Sequence, residues 1–274
     1  MTRFLSWSLV ASALVVAVGC GAAADSFEDS ASESGRTRAA LVAPAHGPVK
    51  LVAQAFADVP LDDAQRTEIE KLAEAAETRH KRVFEAKKAA LFALADQVEG
   101  GSIDRAQLEP KADAIVAALK ASRAEDRAAV MRLHALLDED QREELVEAVE
   151  DRIKDRFKSR RGEGGPRAIA ERLGIHDDQR ERIMDAVKKK MREGRGEGSF
   201  FERVRKSKAA LEAFEDEDFD LDEVMPVDEI EKRTQVMKEK VLGVTEVVVP
   251  LLTAEQRQKA AALIREKAAG DSGF

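Results

Sequence analysis

The chain has 274 residues, 36% of them charged and 4% aromatic, with a formal charge of -8. An acidic balance of this kind argues against a general nucleic-acid binder and promotes solubility. Cys20 is the only cysteine, so no internal disulfide framework can form, and the alanine-heavy 44% apolar fraction suits long helices over a thin core.

Arg3, the apolar run from Leu9 to Val18 and the closing Ala17-Val18-Gly19-Cys20 read as a signal peptide over residues 1–20, too short to span a membrane as a helix. Export is expected. Cys20 stands where bacterial lipoprotein signals place the residue that is lipidated and becomes the mature N-terminus, which predicts a periplasmic protein anchored to an envelope membrane through Cys20. Cleavage near Ala22-Ala23-Ala24 is the alternative. Residues 21–58 are rich in Ala, Ser, Asp and Glu, contain Pro44 and Pro48, and are expected to form a disordered tether.

Beyond the tether, four similar motifs recur: Leu61-Asp62-Asp63-Ala64-Gln65, Leu137-Asp138-Glu139-Asp140-Gln141, Ile175-His176-Asp177-Asp178-Gln179 and Leu252-Thr253-Ala254-Glu255-Gln256. Each places a capping residue three positions before a glutamine. The cap accepts a bond from a free N–H of the first helical turn, the glutamine reaches back to the cap's own N–H, and the preceding leucine can serve as the staple. Every glutamine therefore marks a helix start. In the third copy His176 is a poor cap, and the expectation is that Asp177 takes over with a shift of one residue. Gln65 to Gln141 is 76 positions and Gln179 to Gln256 is 77, whereas Gln65 to Gln179 is 114 and Gln141 to Gln256 is 115. A unit holding two motifs has been repeated in tandem.

Within each unit the period is helical. In the first, Leu108, Ala112, Ile115, Leu119, Ser122, Asp126, Ala129, Leu133 and Leu136 follow steps of four and three; in the second, Val227, Ile230, Thr234, Met237, Val241, Val244, Val248 and Leu251 do the same. The first seam predicts a helix from about Asp104 to Leu136, roughly 50 Å long. Lys88-Ala89-Ala90-Leu91 aligns with Lys208-Ala209-Ala210-Leu211, and the glycine-rich insertion Gly194-Arg195-Gly196-Glu197-Gly198-Ser199 precedes the second copy. A break tolerated there predicts a joint near Arg79 to Lys81 in the first unit. The expected architecture is thus all-α: two tandem four-helix units over 59–160 and 168–270, joined by a linker over 161–167.

Paired motifs of the form LTxxQ about 75 residues apart, in an exported all-helical unit, resemble the Spy/CpxP family of bacterial envelope stress proteins. Leu251-Leu252-Thr253-Ala254-Glu255-Gln256-Arg257 carries the best match, and Phe219-Asp220 is similar to the family's Phe-Asp turn, for which the first unit has Ser102-Ile103-Asp104. The likeness spans about residues 59 to 270 as two copies. It implies an ATP-independent chaperone in which two four-helix units form a thin curved cradle that holds partly unfolded clients. Here both units lie on one chain, so an elongated pseudo-dimer within the chain is expected.

The basic stretch from Lys188 to Lys208, with Lys188, Lys189, Arg192, Arg203 and Arg205 around Phe200 and Phe201, is the candidate client contact. Its bland counterpart is a solvated helix face with the two phenylalanines in the core. Relatives of the family also include metal sensors and zinc-binding proteins, which makes metal binding the alternative reading, and an adaptor partner of a stress-signalling system the third. His80 and His134 are isolated and read as helix-face residues, no His-x-x-x-His pair occurs, and a calcium loop begun at Asp218 has Glu223 where glycine is needed. No metal, cofactor or catalytic residue is assigned, and no enzymatic activity is expected.

Overall fold

A computed structural model describes residues 47–159, 166–193, 208–224 and 226–270. Among these the fold is all-α. In chain order the helices are α1 (Gly47–Ala55), α2 (Asp63–Gly100), α3 (Arg105–Leu136), α4 (Glu139–Ser159), α5 (Pro166–Leu173), α6 (Asp177–Glu193), a helical stretch over 208–213, α7 (Leu221–Val224), α8 (Val227–Val248), a 3-10 turn (Val249–Leu251) and α9 (Ala254–Gly270).

The longest helix departs from expectation. α2 runs unbroken through Arg79, His80 and Lys81, where a joint was predicted. No glycine or proline occurs between Leu61 and Glu99, so nothing in that segment removes a backbone donor or favours another backbone conformation. At 38 residues it is about 57 Å long. The four-helix division of the first unit fails at this point.

Gly101 ends α2 in the left-handed conformation, φ 84°, which spares the helix a Cβ clash, and its N–H returns to the Gln97 and Val98 carbonyls. Asp104 then caps α3 by accepting from the Ala106 N–H at 2.9 Å, while the Gln97 side chain accepts from the Asp104 N–H at 2.7 Å. The hairpin of α2 and α3 is therefore locked at its turn. Halfway along, Asp126 of α3 lies 3.0 Å from His80 Nε2 and 3.1 Å from Arg79 Nε on α2. Burial pushes the Asp126 carboxyl up, but hydrogen bonds from His80, Ser122 and Arg79 outweigh it and hold the group at about 2.

The predicted seam of α3 holds in part. Leu108 and Ser122 are buried, but Leu119 is 37% exposed and Val116 takes the inward position instead. α3 also runs against α8 through an ion-pair seam: Arg105 reaches Glu246 at 2.7 Å and Glu239 at 2.9 Å, and Lys238 reaches Asp113 at 2.7 Å. These bridges hold Arg105 above its ordinary range, chiefly through the Glu239 hydrogen bond.

Two further expectations change at the domain edges. Residues 47–58 are not tether: they form α1 and the turn after it, with Ala55, Phe56 and Val59 almost fully buried. Pro44, Pro48 and the polar residues before them drew this segment into the tether, yet Ala53, Ala55 and Phe56 within it are core. Pro166 opens α5 inside the segment read as linker, as a proline at a first helical position can. Residues 1–46, including Cys20 and the predicted signal peptide, lie outside the described residues.

Among the described residues the core falls into two clusters, and each mixes early and late parts of the chain. One gathers Ala55, Phe56, Val59, Ile69, Leu137, Leu145, Val146 and Val149 with Phe214, Phe219 and Leu221. The other gathers Leu173, Ile183, Val187, Leu242, Val244, Val248, Val249, Leu252, Ala260, Ala261, Ile264 and Ala268 with Leu91, Leu94, Ala95, Val98 and Leu108. α2 consequently packs along α3 on one side and α9 on another.

Candidate functional site

The motif glutamines meet in pairs. Gln65 Nε2 donates to Gln141 Oε1 at 2.8 Å, and Gln141 Nε2 donates back to Gln65 Oε1 at 3.0 Å. Each uses its second N–H on a backbone carbonyl across the pair: Gln65 on Leu136 at 2.9 Å, Gln141 on Pro60 at 2.7 Å. Each Oε1 also accepts from its own cap, Asp62 N–H at 3.0 Å and Asp138 N–H at 3.1 Å. Both amides thereby fill two donor and two acceptor positions.

The second pair repeats this geometry with a partner set shifted along the chain. Gln179 Nε2 donates to Gln256 Oε1 at 2.6 Å and Gln256 Nε2 to Gln179 Oε1 at 2.8 Å. The outer acceptors are Leu251 O at 2.9 Å and Gly174 O at 3.0 Å, and Thr253 N–H reaches Gln256 Oε1 at 3.0 Å. Gln65 and Leu136 are 71 positions apart and Gln179 and Leu251 are 72; Gln141 and Pro60 are 81 apart and Gln256 and Gly174 are 82. The repeat is thus expressed in acceptors as well as in donors.

The caps follow from the sequence, with one correction. Asp62, Asp138 and Thr253 each accept from the N–H of their glutamine, at 2.7, 2.9 and 3.3 Å. Leu137 and Leu252 are buried beside their caps, and Leu61 packs against the same cluster as Leu137. For the third copy, the Arg180 N–H bonds the His176 carbonyl at 2.8 Å, as Arg66 bonds Asp62, Arg142 bonds Asp138 and Arg257 bonds Thr253. That helix starts in the common register. Asp177 is its first residue, not its cap, and pairs with Arg180 at 2.9 Å. A backbone bond available to any residue type outweighed the missing side-chain cap.

An arginine follows every one of the four glutamines, a signal that reading for caps alone passes over. Arg142 donates to Leu137 O and Arg257 to Leu252 O, each at 2.9 Å. The same arginines touch a distant turn. Arg142 Nε donates to Glu215 O at 3.2 Å, and the Arg257 guanidinium lies over Gly101, where an added Cβ would come within 2.9 Å.

His134, read from the sequence as an isolated helix-face residue, lies on the buried face of α3. It is 7% exposed, its Nε2 is 2.9 Å from Asp216 O, its ring stacks on Phe219 with centroids 5.1 Å apart, and Phe214 meets it edge-on at 5.2 Å. Sequence reading missed this because Phe214 and Asp216 lie some 80 residues away. Glu215, in the same turn, has its carboxyl pushed up by burial and then by Glu143, Glu212, Asp216 and Glu150.

The candidate client contact is placed only in part. Lys188, Lys189 and Arg192 stand exposed along α6 and line one open groove with Asp185, which pairs with Lys188 at 3.3 Å. Phe200, Phe201, Arg203 and Arg205 lie outside the described residues. Among the described residues no helix is long and apolar enough to cross a membrane.

Chemically, the amide pair of Gln65 and Gln141 spends all its donors and acceptors internally, and that of Gln179 and Gln256 spends all its side-chain N–H donors, so neither has a donor left for a ligand. What they can do is fix helix ends: each pair joins the starts of two helices and the carbonyls of two preceding turns. No family model, no curated protein and no solved structure matches this chain.

Proposed function

We propose that this chain is an exported, lipid-anchored, ATP-independent chaperone similar to the Spy/CpxP family, built as a tandem duplication whose two units form a pseudo-dimer within one polypeptide. The observation that carries the reading is the pair of reciprocal glutamine contacts at separations of 76 and 77 residues. Two motifs that meet in this way define one unit, and the chain has two such units. The mixed clusters support the pseudo-dimer, since each unit's glutamine end is covered by the other unit's helix turn. Long, thin, charge-rich helices leave much surface exposed for their length, which favours holding a client over enclosing a small substrate. Lys188, Lys189 and Arg192, on an open face of α6, are the described part of the proposed client contact.

The test is aggregation of an unfolding client, followed by light scattering with the protein lacking residues 1–20 and no nucleotide present. Suppression at near-stoichiometric amounts is expected. An unchanged scattering curve with several unrelated clients would remove the chaperone reading and leave a dedicated protein partner in its place.

A further inference from the structure

The two clusters are related by the repeat, but they are not interchangeable. Resting on the duplication reading, we infer that the N-terminal unit (47–159) and the C-terminal unit (166–270) carry heterotypic docking surfaces, each fitted to the other unit and unfit for a second copy of itself.

A shift of 115 residues superposes Leu145, Val146, Val149 and Ile153 of α4 on Ala260, Ala261, Ile264 and Ala268 of α9. Three of the four positions shrink to alanine. That small face lets α9 lie along α2, against Leu91, Leu94, Ala95 and Val98. The larger face of α4 instead shares a cluster with Phe214 and Phe219. The same shift places Val249 where α3 has His134, the residue that stacks on Phe219 and bonds Asp216 O.

Charge diverges in parallel. Arg265 of α9 bridges Asp96 at 2.7 Å and Glu99 at 2.6 Å on α2. Its counterpart by the shift is Glu150, which faces the other turn and helps to raise the Glu215 carboxyl, with Lys208 3.9 Å away.

Homotypic pairing breaks both patterns. Two N-terminal units would drive Leu145, Val146 and Ile153 into space fitted to alanine and set Glu150 against Asp96 and Glu99. Two C-terminal units would leave Phe214 and Phe219 facing alanines and strand the Asp216 carbonyl that His134 satisfies. One combination is overpacked and repulsive, the other underpacked. The heterotypic pair closes both junctions inside one chain, so no complementary surface is left for open-ended growth.

The experiment uses the whole chain with a protease site inserted between Gly162 and Gly164 and cut after folding. Cleaved protein and an isotopically labelled copy are mixed in mild denaturant, diluted and weighed by native mass spectrometry. The expected species each contain one N-terminal and one C-terminal unit, with labels interchanged and homotypic pairs under a tenth of the total. Homotypic pairs approaching their statistical share, or units that separate on cleavage, would overturn the inference. Sedimentation of the uncut chain should give a monomer, and concentration-dependent chains of molecules would also count against it. Neither measurement involves a client, so either can fail independently of the chaperone reading.

Discussion

The two glutamine pairs share their reciprocal amide bonds and their outer carbonyl acceptors in different surroundings. Gln179 and Gln256 are both buried, at 7% and 6% exposure, whereas Gln141 is buried at 8% and its partner Gln65 is half-buried. The lesson is that one hydrogen-bond pattern can carry different energetic weight, because an unsatisfied amide is expensive only where water cannot replace the lost partner.

The sharpest way to break that comparison is an isosteric change. Gln256→Glu places a carboxylate against Gln179 Oε1 and Gly174 O with no N–H to offer, and should cost about 3 to 5 kcal/mol in urea denaturation at pH 7. Gln65→Glu makes the same chemical error beside solvent, and about 1 to 2 kcal/mol is expected. Equal losses would mean that burial does not set the difference between the two pairs.

The two clusters can be probed in the same way. Phe219→Ala removes the ring that stacks on His134 and should cost about 3 to 5 kcal/mol, while Val98→Ala in the other cluster should cost about 2 kcal/mol. Thermal or chemical unfolding checks both. Ala261→Leu should destabilise by about 1 to 3 kcal/mol through overpacking against α2, and Val146→Leu, at the counterpart position where a larger side chain already stands, by less.

Gly101→Ala should cost about 1 to 2 kcal/mol, since φ 84° is unfavourable for a side chain and Arg257 must shift. Gly174, the other positive-φ glycine among the described residues, has open space around it, so Gly174→Ala should show the backbone cost alone.

The effects of pH have opposite signs at two carboxylates. The Asp126 carboxyl is held at about 2, below its ordinary 3.8, so its stabilising contribution is complete above 3.8 and is lost as pH falls toward 2. Glu215 is raised, so its ionised form disfavours the fold above its folded value, and that penalty disappears below the ordinary 4.5. Glu215→Gln should therefore stabilise at pH 7 by about 0.5 kcal/mol, a small figure because the group is partly solvated and screened, and be neutral at pH 4. Stability curves of the two proteins against pH would separate the signs.

Local chemistry was legible in the chain. Asp62, Asp138 and Thr253 cap as expected, α3 begins after Asp104 and ends at Leu136, and the four glutamines stand at helix starts. All of these depend on atoms within four residues of each other, where the sequence specifies the geometry directly. The expected joint at 79–81 failed because it was inferred from an insertion in the other unit, not from the segment's own helix-forming residues.

What lay outside local reach was which surfaces meet. Phe56 and Val59 are core because α4 and Phe219 cover them; Leu119 is exposed while Val116 is buried because the neighbours of α3 set which side of the helix faces inward; His134 is buried because a turn more than 80 residues later wraps it. By itself the sequence determined helices, caps and the repeat, since these follow from periodicity and short-range hydrogen bonds. Only the tertiary structure decided that the glutamines join in pairs and that each cluster is shared between early and late helices, because burial and amide pairing depend on contacts between residues far apart in the chain.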